Sequence, residues 1–172
     1  RTMPMPPEDE APRLHLADVS WSGPLTRERL DGVTLSLHAG RITGVAGVSG
    51  NGQSALAWVC TGMVQPLAGT VTALGRDLTN RGPIDFLEAK VRYVPEERDH
   101  VAVARSLSLI HNVFLRGHPL LNGIAAWWMP CGAMTTVTRD LVAAADVRTP
   151  GLDVPVRTLS GGNLQKLILA RE

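Results

Sequence analysis

Two glycine-rich stretches in this 172-residue chain carry residue types suited to gripping phosphate. The first is Gly47-Val48-Ser49-Gly50-Asn51-Gly52-Gln53-Ser54. Its glycines let successive backbone N–H groups turn inward around a di- or triphosphate. Ser54 can give its hydroxyl to a Mg²⁺ bound to the nucleotide, and the spacing is that of a phosphate-binding P-loop, G-x-x-x-x-G-K-[ST]. Gln53 stands where the lysine of that pattern belongs. An amide donates a neutral hydrogen bond and brings no positive charge, so phosphate affinity should fall by about 1–3 kcal/mol. The same stretch also suits a glycine-rich turn without a ligand. The second stretch is Leu159-Ser160-Gly161-Gly162-Asn163-Leu164-Gln165-Lys166, running into Leu167–Glu172. Leu164, Leu167 and Ile168 fall at i, i+3, i+4, one apolar helix face. A helix start with free amides, its positive dipole end and the Ser160 hydroxyl form an anion site; a bare Ser-Gly-Gly also suits a plain helix cap.

The elements around them fit that use. Arg41–Ala46 reads as a short buried strand entering the first loop, and Ala55–Cys60 as the helix leaving it, which Gly62 could terminate. Val91-Arg92-Tyr93-Val94 alternates as a strand and ends in Pro95-Glu96-Glu97-Arg98, a run that also suits a solvated charged turn.

The eight residues from Leu159 resemble the signature motif of ABC-transporter ATPases, in the form seen in sugar and nucleoside importers. Glu96 takes the place of the family's glutamine, which touches Mg²⁺ and the attacking water, and Gln53 together with Asp146–Gly151 is similar to the second of two fused ATPase domains. The resemblance covers Leu14 to Glu172. It implies an α/β fold: a P-loop core with an antiparallel β layer and a helical subdomain, the C-terminal core strands missing. The expected organisation is a linker over 1–12, β layer and P-loop core over 13–97, helical subdomain over 98–158, and signature motif with its helix over 159–172.

The family likeness also implies ATP and Mg²⁺ as cofactors. Nucleotide would be held by Gly47, Ser49, Gly50, Asn51, Gly52, Gln53, Ser54 and Ala55, with Mg²⁺ near Ser54 and Glu96. Ser160, Gly161, Gly162 and Asn163 would clamp nucleotide held by a partner ATPase domain. Trp21 follows the first strand, where the family stacks an aromatic ring on adenine; a surface or core tryptophan is the other reading. The family's aspartate, catalytic glutamate and γ-phosphate-sensing histidine lie beyond the signature helix. The chain thus reads as a fragment with no general base, expected to bind nucleotide but not to hydrolyse ATP at a useful rate. It is also expected to be marginally stable or prone to associate. Implied partners are a second ATPase domain, transmembrane permease subunits and, indirectly, a solute-binding protein, at the cytoplasmic face of a membrane. A non-catalytic nucleotide-binding module of the same shape is the alternative; an aspartate-glutamate pair past Glu172 would favour the motor.

Three alternating runs, Leu14–Leu16, Val33–Leu37 and Thr70–Leu74, supply the β layer. Further on, the residues predict an apolar helix over Ser106–Leu115 and another over Thr138–Val147, the latter burying Leu141, Ala144 and Ala145. His111-Asn112-Val113 resembles the family's E-N-V. The apolar run Ile124–Pro130 suits either core packing or a groove for a permease helix.

Composition bounds the rest. Hydrophobic residues at 44% and charged residues at 19% fit a folded globular chain. A net charge of +1 argues against a dedicated nucleic-acid binder. The opening Arg1–Pro12 is proline-rich and acidic, without an apolar signal region, and no apolar run approaches ~20 residues. Cys60 and Cys131 form no C-x-x-C pair, which makes reduced thiols the default, and the five histidines are scattered without zinc-ligand spacing.

Overall fold

The burial pattern of β1 (Leu14–Ser22) shows how the β layer is built. Leu14 and Leu16 are buried, and so are Val19 and Trp21. The phase of the alternation changes between the two pairs. Asp18, at φ 52°, lies where the pairing register shifts, so one extra residue re-aims the rest of the strand at the same core. β2 (Arg29–Leu37) and β3 (Ala68–Ala73) flank β1 antiparallel, and the short β4 (Arg76–Asp77) completes the order β2-β1-β3-β4. The antiparallel layer read from the three alternating runs is thus present, with β3 ending one residue before Leu74.

A computed structural model describes residues 11–24, 28–97, 101–115 and 131–172, with Cys131 in its backbone only. Most of the linker, Arg98 and the run Ile124–Pro130 lie outside the described residues. The chain divides into two compact units, with the division between Tyr93 and Val94. In the first, α1 (Gln53–Cys60) and α2 (Pro83–Glu88) join the sheet around Leu16, Val19, Trp21, Val59, Val71 and Phe86. Gly62, at φ 69°, lies just past α1 and donates to the Val59 carbonyl; a Cβ there would meet the Phe86 ring at 2.4 Å. The helix stop expected at Gly62 is in place.

Two expected strands are not formed. Arg41–Ala46 and Val91–Val94 lack strand pairing, and Ile42 and Val45 are exposed rather than buried. An apolar, alternating segment becomes a strand only when a neighbour takes its backbone hydrogen bonds. Among the described residues none pairs with either run.

The second unit packs α3 (Leu109–Val113), α4 (Cys131–Ala144) and α5 (Gly161–Arg171) around Leu109, Val113, Met134, Val156, Leu164, Leu167 and Ile168. α3 is shorter than its apolar run. Ser108 caps it, its hydroxyl accepting from the His111 amide, and Leu107 is left outside and exposed. α4 starts earlier than expected, and it stops earlier because Asp146 turns the chain at φ 49°. Its buried line is Met134 and Thr138 with Leu141 half-buried; Ala144, expected inside, is exposed. Asn112 is buried and fully engaged. Its side chain donates to the carbonyls of Ala104, Leu107 and Ser108 and accepts from the Ala104 amide. Arg171, paired with Glu172 at 2.8 Å, also reaches the Ala102 and Asn112 carbonyls. Among the described residues no helix is long and apolar enough to cross a membrane.

Candidate functional site

The Gly47–Ala55 stretch closes as a loop running into α1. The Asn51 amide donates to the Val48 carbonyl at 3.2 Å. Gly52 is the helix N-cap at φ 99°, and a Cβ there would lie 2.6 Å from the Arg29 carbonyl oxygen. Only glycine satisfies both demands. Because Gly52 carries no side chain, nothing local caps α1, and the first-turn amides have no intrahelical partner. These amides and the half-buried Ser54 are what a phosphate chain and its metal need. Gly47, Ser49, Gly50 and Asn51 are exposed, as an accessible cradle requires.

Two side chains already use this cradle. The Gln53 amide folds back and donates to the Val48 carbonyl at 3.1 Å. It lies over Gly47, where a Cβ would come within 2.4 Å of Nε2. Glu28, just before β2, accepts a hydrogen bond from the Ala55 amide at 2.9 Å. The sequence gives no pattern that marks Glu28: it is one charge among several, and its place depends on how closely Gly52 packs on Arg29.

Trp21 lies inside the first unit's core. Its ring meets Trp58 of α1 edge to face, with centroids 6.1 Å apart and planes at 80°. Of the two readings open for Trp21, this is the packing one; the indole is 9% exposed, and its stacking partner is protein.

The Leu159–Lys166 stretch forms the N-terminus of α5 as the spacing predicts, with Leu164, Leu167 and Ile168 buried on one face. Ser160 is the N-cap by backbone position, but its side chain makes no cap hydrogen bond. Its Oγ accepts from Asn163 Nδ2 at 3.0 Å, and Asn163 Oδ1 accepts from the Arg148 amide at 2.9 Å. Lys166 donates to both the carboxylate and the carbonyl of Asp146, each at 2.8 Å. The Asp146–Arg148 turn is therefore bolted to the helix start. The Lys166 hydrogen bond, then its charge, hold the Asp146 carboxyl below the usual carboxylate range. The family resemblance marked Asp146–Gly151 and spacing marked the helix, but neither marked their link.

Glu96 is exposed in an irregular stretch that opens the second unit, while Gly47–Ala55 belong to the first. Cys60, on α1, has its thiol pushed up to about 11 by burial, so it is a poor nucleophile.

Known proteins put a frame around these two helix starts. The family model described as ABC transporter matches residues 30–172. The chain is 40% identical over 163 residues to the glucose import ATP-binding protein TsgD13 of Haloferax volcanii, covering 94% of this chain and 30% of that protein. It is 34% identical over 145 residues to the guanosine import ATP-binding protein NupO of Bacillus subtilis, covering 84% of this chain and 28% of that protein. The ribose import ATP-binding protein RbsA 3 of Rhizobium etli is 32% identical over 161 residues, with 90% and 31% covered. The chain thus spans under a third of the length of these curated relatives. Among solved structures, the dimeric ATP-binding cassette MJ0796 bound to ADP and Pi matches with a TM-score of 0.70 at 17% identity, over 92% of this chain and 68% of that one. The likeness in coordinates fixes the fold as that of an ABC cassette, and the matched sequence fixes the lineage: this chain belongs to the ABC transporter family, among relatives that are sugar and nucleoside import ATP-binding proteins.

Proposed function

We propose that this chain is the nucleotide-gripping part of an importer's ATP-driven motor. Two helix starts divide the work. The Gly47–Ala55 loop takes the phosphates of MgATP through its amides, with Ser54 at the metal, and Ser160–Asn163 present a hydroxyl and amides to nucleotide held by a second ATPase domain. Bound MgATP supplies a transferable phosphoryl group and its charge. This chain's own groups bind and orient it. The observation that carries the reading is that neither N-cap residue makes a side-chain cap bond, which leaves the Gln53 and Ser54 amides of α1 and the opening amides of α5 for a ligand, while the Ala55 amide is held by Glu28.

Partners follow from the family: a second ATPase domain, permease subunits and a solute-binding protein on the far side. The setting would be the cytoplasmic face of a membrane. The cargo class, simple sugar or nucleoside, rests on what the relatives are named for. One observation favours a second reading, a nucleotide-binding module without turnover: Gln53 replaces the lysine and spends its amide on the loop itself.

Calorimetry with MgATP tests the proposal. Parent chain should bind in the micromolar range. Ser54→Ala should weaken MgATP more than metal-free ATP, and Gln53→Lys should tighten binding about tenfold by adding a charge-assisted bond. No binding by any folded variant would overturn the Gly47–Ala55 part of this reading.

A further inference from the structure

We infer that Glu28 is an internal competitor for the phosphate cradle, a carboxylate that must leave the Ala55 amide before nucleotide phosphate can take it. The inference rests on the nucleotide-binding reading above.

The geometry begins at Gly52. Its close approach to the Arg29 carbonyl sets the start of β2 against the start of α1. Glu28, one residue before β2, is thereby within reach of the first turn, and its Oε2 accepts from the Ala55 amide at 2.9 Å. That N–H is one of the four that a helix start cannot satisfy internally, and it points along the positive end of the helix dipole. A carboxylate and a phosphate oxygen seek the same donor for the same reason, and one N–H cannot serve both well. The contact is half-buried, so water does not replace it freely.

Gln53 closes the cradle from the other side. Its amide is bonded to the Val48 carbonyl and lies over Gly47. A lysine there would draw phosphate in by charge, whereas this glutamine offers no such pull. The loop is therefore satisfied by the chain's own anion at one end and its own amide at the other. Binding of nucleotide has to exchange both, and Glu28 carries the charge that opposes the incoming phosphates directly. Substitution of Glu28 should then release affinity that the loop already possesses.

Calorimetry on the full chain would compare parent, Glu28→Gln and Glu28→Ala against MgATP and against inorganic pyrophosphate, with the Ala55 amide followed by ¹⁵N NMR. Glu28→Gln keeps size and shape but removes the charge. The expected result is binding about tenfold tighter for both ligands, with the nucleotide-free Ala55 amide shifted away from its parent position. Unchanged or weaker binding in folded Glu28→Gln overturns the competition, even where the Ala55 amide moves. An Ala55 amide that ignores the substitution overturns the contact itself. If parent and both variants all fail to bind either ligand, the nucleotide-binding reading falls and takes this inference with it, an outcome distinct from the other two.

Discussion

Single residues in this chain hold more than their size suggests, and Asn112 is the clearest. Four hydrogen bonds from one buried amide serve the backbone of Ala104, Leu107 and Ser108. Asn112→Ala would leave the Ala104 amide without its acceptor, while the three carbonyls each keep a backbone donor, at a cost of about 2 kcal/mol. Urea denaturation of parent and variant measures it; a change under about 1 kcal/mol would mean that other partners take the bonds over. Cys60 gives a pH signature. Its ordinary value is 9.0 and burial raises it to about 11, so the folded chain keeps a proton that the unfolded chain has begun to lose. Stability should therefore be unaffected below about pH 9 and fall as pH rises toward 11, and Cys60→Ala should flatten that slope in thermal unfolding. At this scale the sequence revealed residue types and little of their engagement. Gln53 was legible as a missing charge, but its bond to Val48 was not, nor was Glu28's place on Ala55. Both depend on the path of the backbone, which a motif does not encode.

Among the elements, α5 and the turn before it act together. Lys166 grips Asp146 while Asn163 joins the Arg148 amide to the Ser160 hydroxyl. Folding lowers the Asp146 carboxyl, so the contribution is present above the ordinary carboxylate value of 3.8 and is lost as pH falls through the lowered one. Asp146→Asn should remove that acid-side dependence and speed hydrogen exchange at the start of α5, with the β layer unaffected. Exchange that stays slow in α5 would show that its apolar face holds the helix start unaided. Here the sequence was a better guide where pattern and partner coincide. Leu164, Leu167 and Ile168 announced the buried face of α5, and the alternating runs announced β1, β2 and β3. Arg41–Ala46 shows the opposite case: a short apolar run has the capacity to be a strand, and only a neighbouring ladder makes it one. β1 hid its bulge because Asp18, a non-glycine residue at positive φ, leaves no mark in an apolar pattern.

At the scale of the whole molecule, each unit has its own core, and the P-loop and the signature helix belong to different ones. The stretch leading to the P-loop is the weak point. Ile42, Val45 and Val48 are all exposed, and Arg41–Ala46 pairs with no strand among the described residues. Exposed apolar side chains on a segment without a strand partner invite pairing with another chain. Sedimentation of the parent should depend on concentration, and Ile42→Lys with Val45→Lys should suppress that dependence without changing the unfolding transition of the β layer. A parent that remains monomeric at high concentration would sink this expectation. The overall class, an α/β chain with an antiparallel layer and a helical region, was readable because the motifs carry the family resemblance and the alternating runs supply the layer. The state of Arg41–Ala46 and Val91–Val94 was not, since it depends on which backbones meet.

The edge-to-face tryptophans have an optical consequence. Trp21 is anchored in β1 and Trp58 rides on α1, the helix that follows the glycine-rich loop, with the rings 6.1 Å apart and steeply inclined. Two indoles so close and so inclined share their electronic excitations, and their handed arrangement turns that sharing into a paired positive and negative band in circular dichroism. The chain therefore carries a built-in gauge of how α1 sits on the sheet, and a nucleotide that shifts the helix would write its arrival in polarised light without any label.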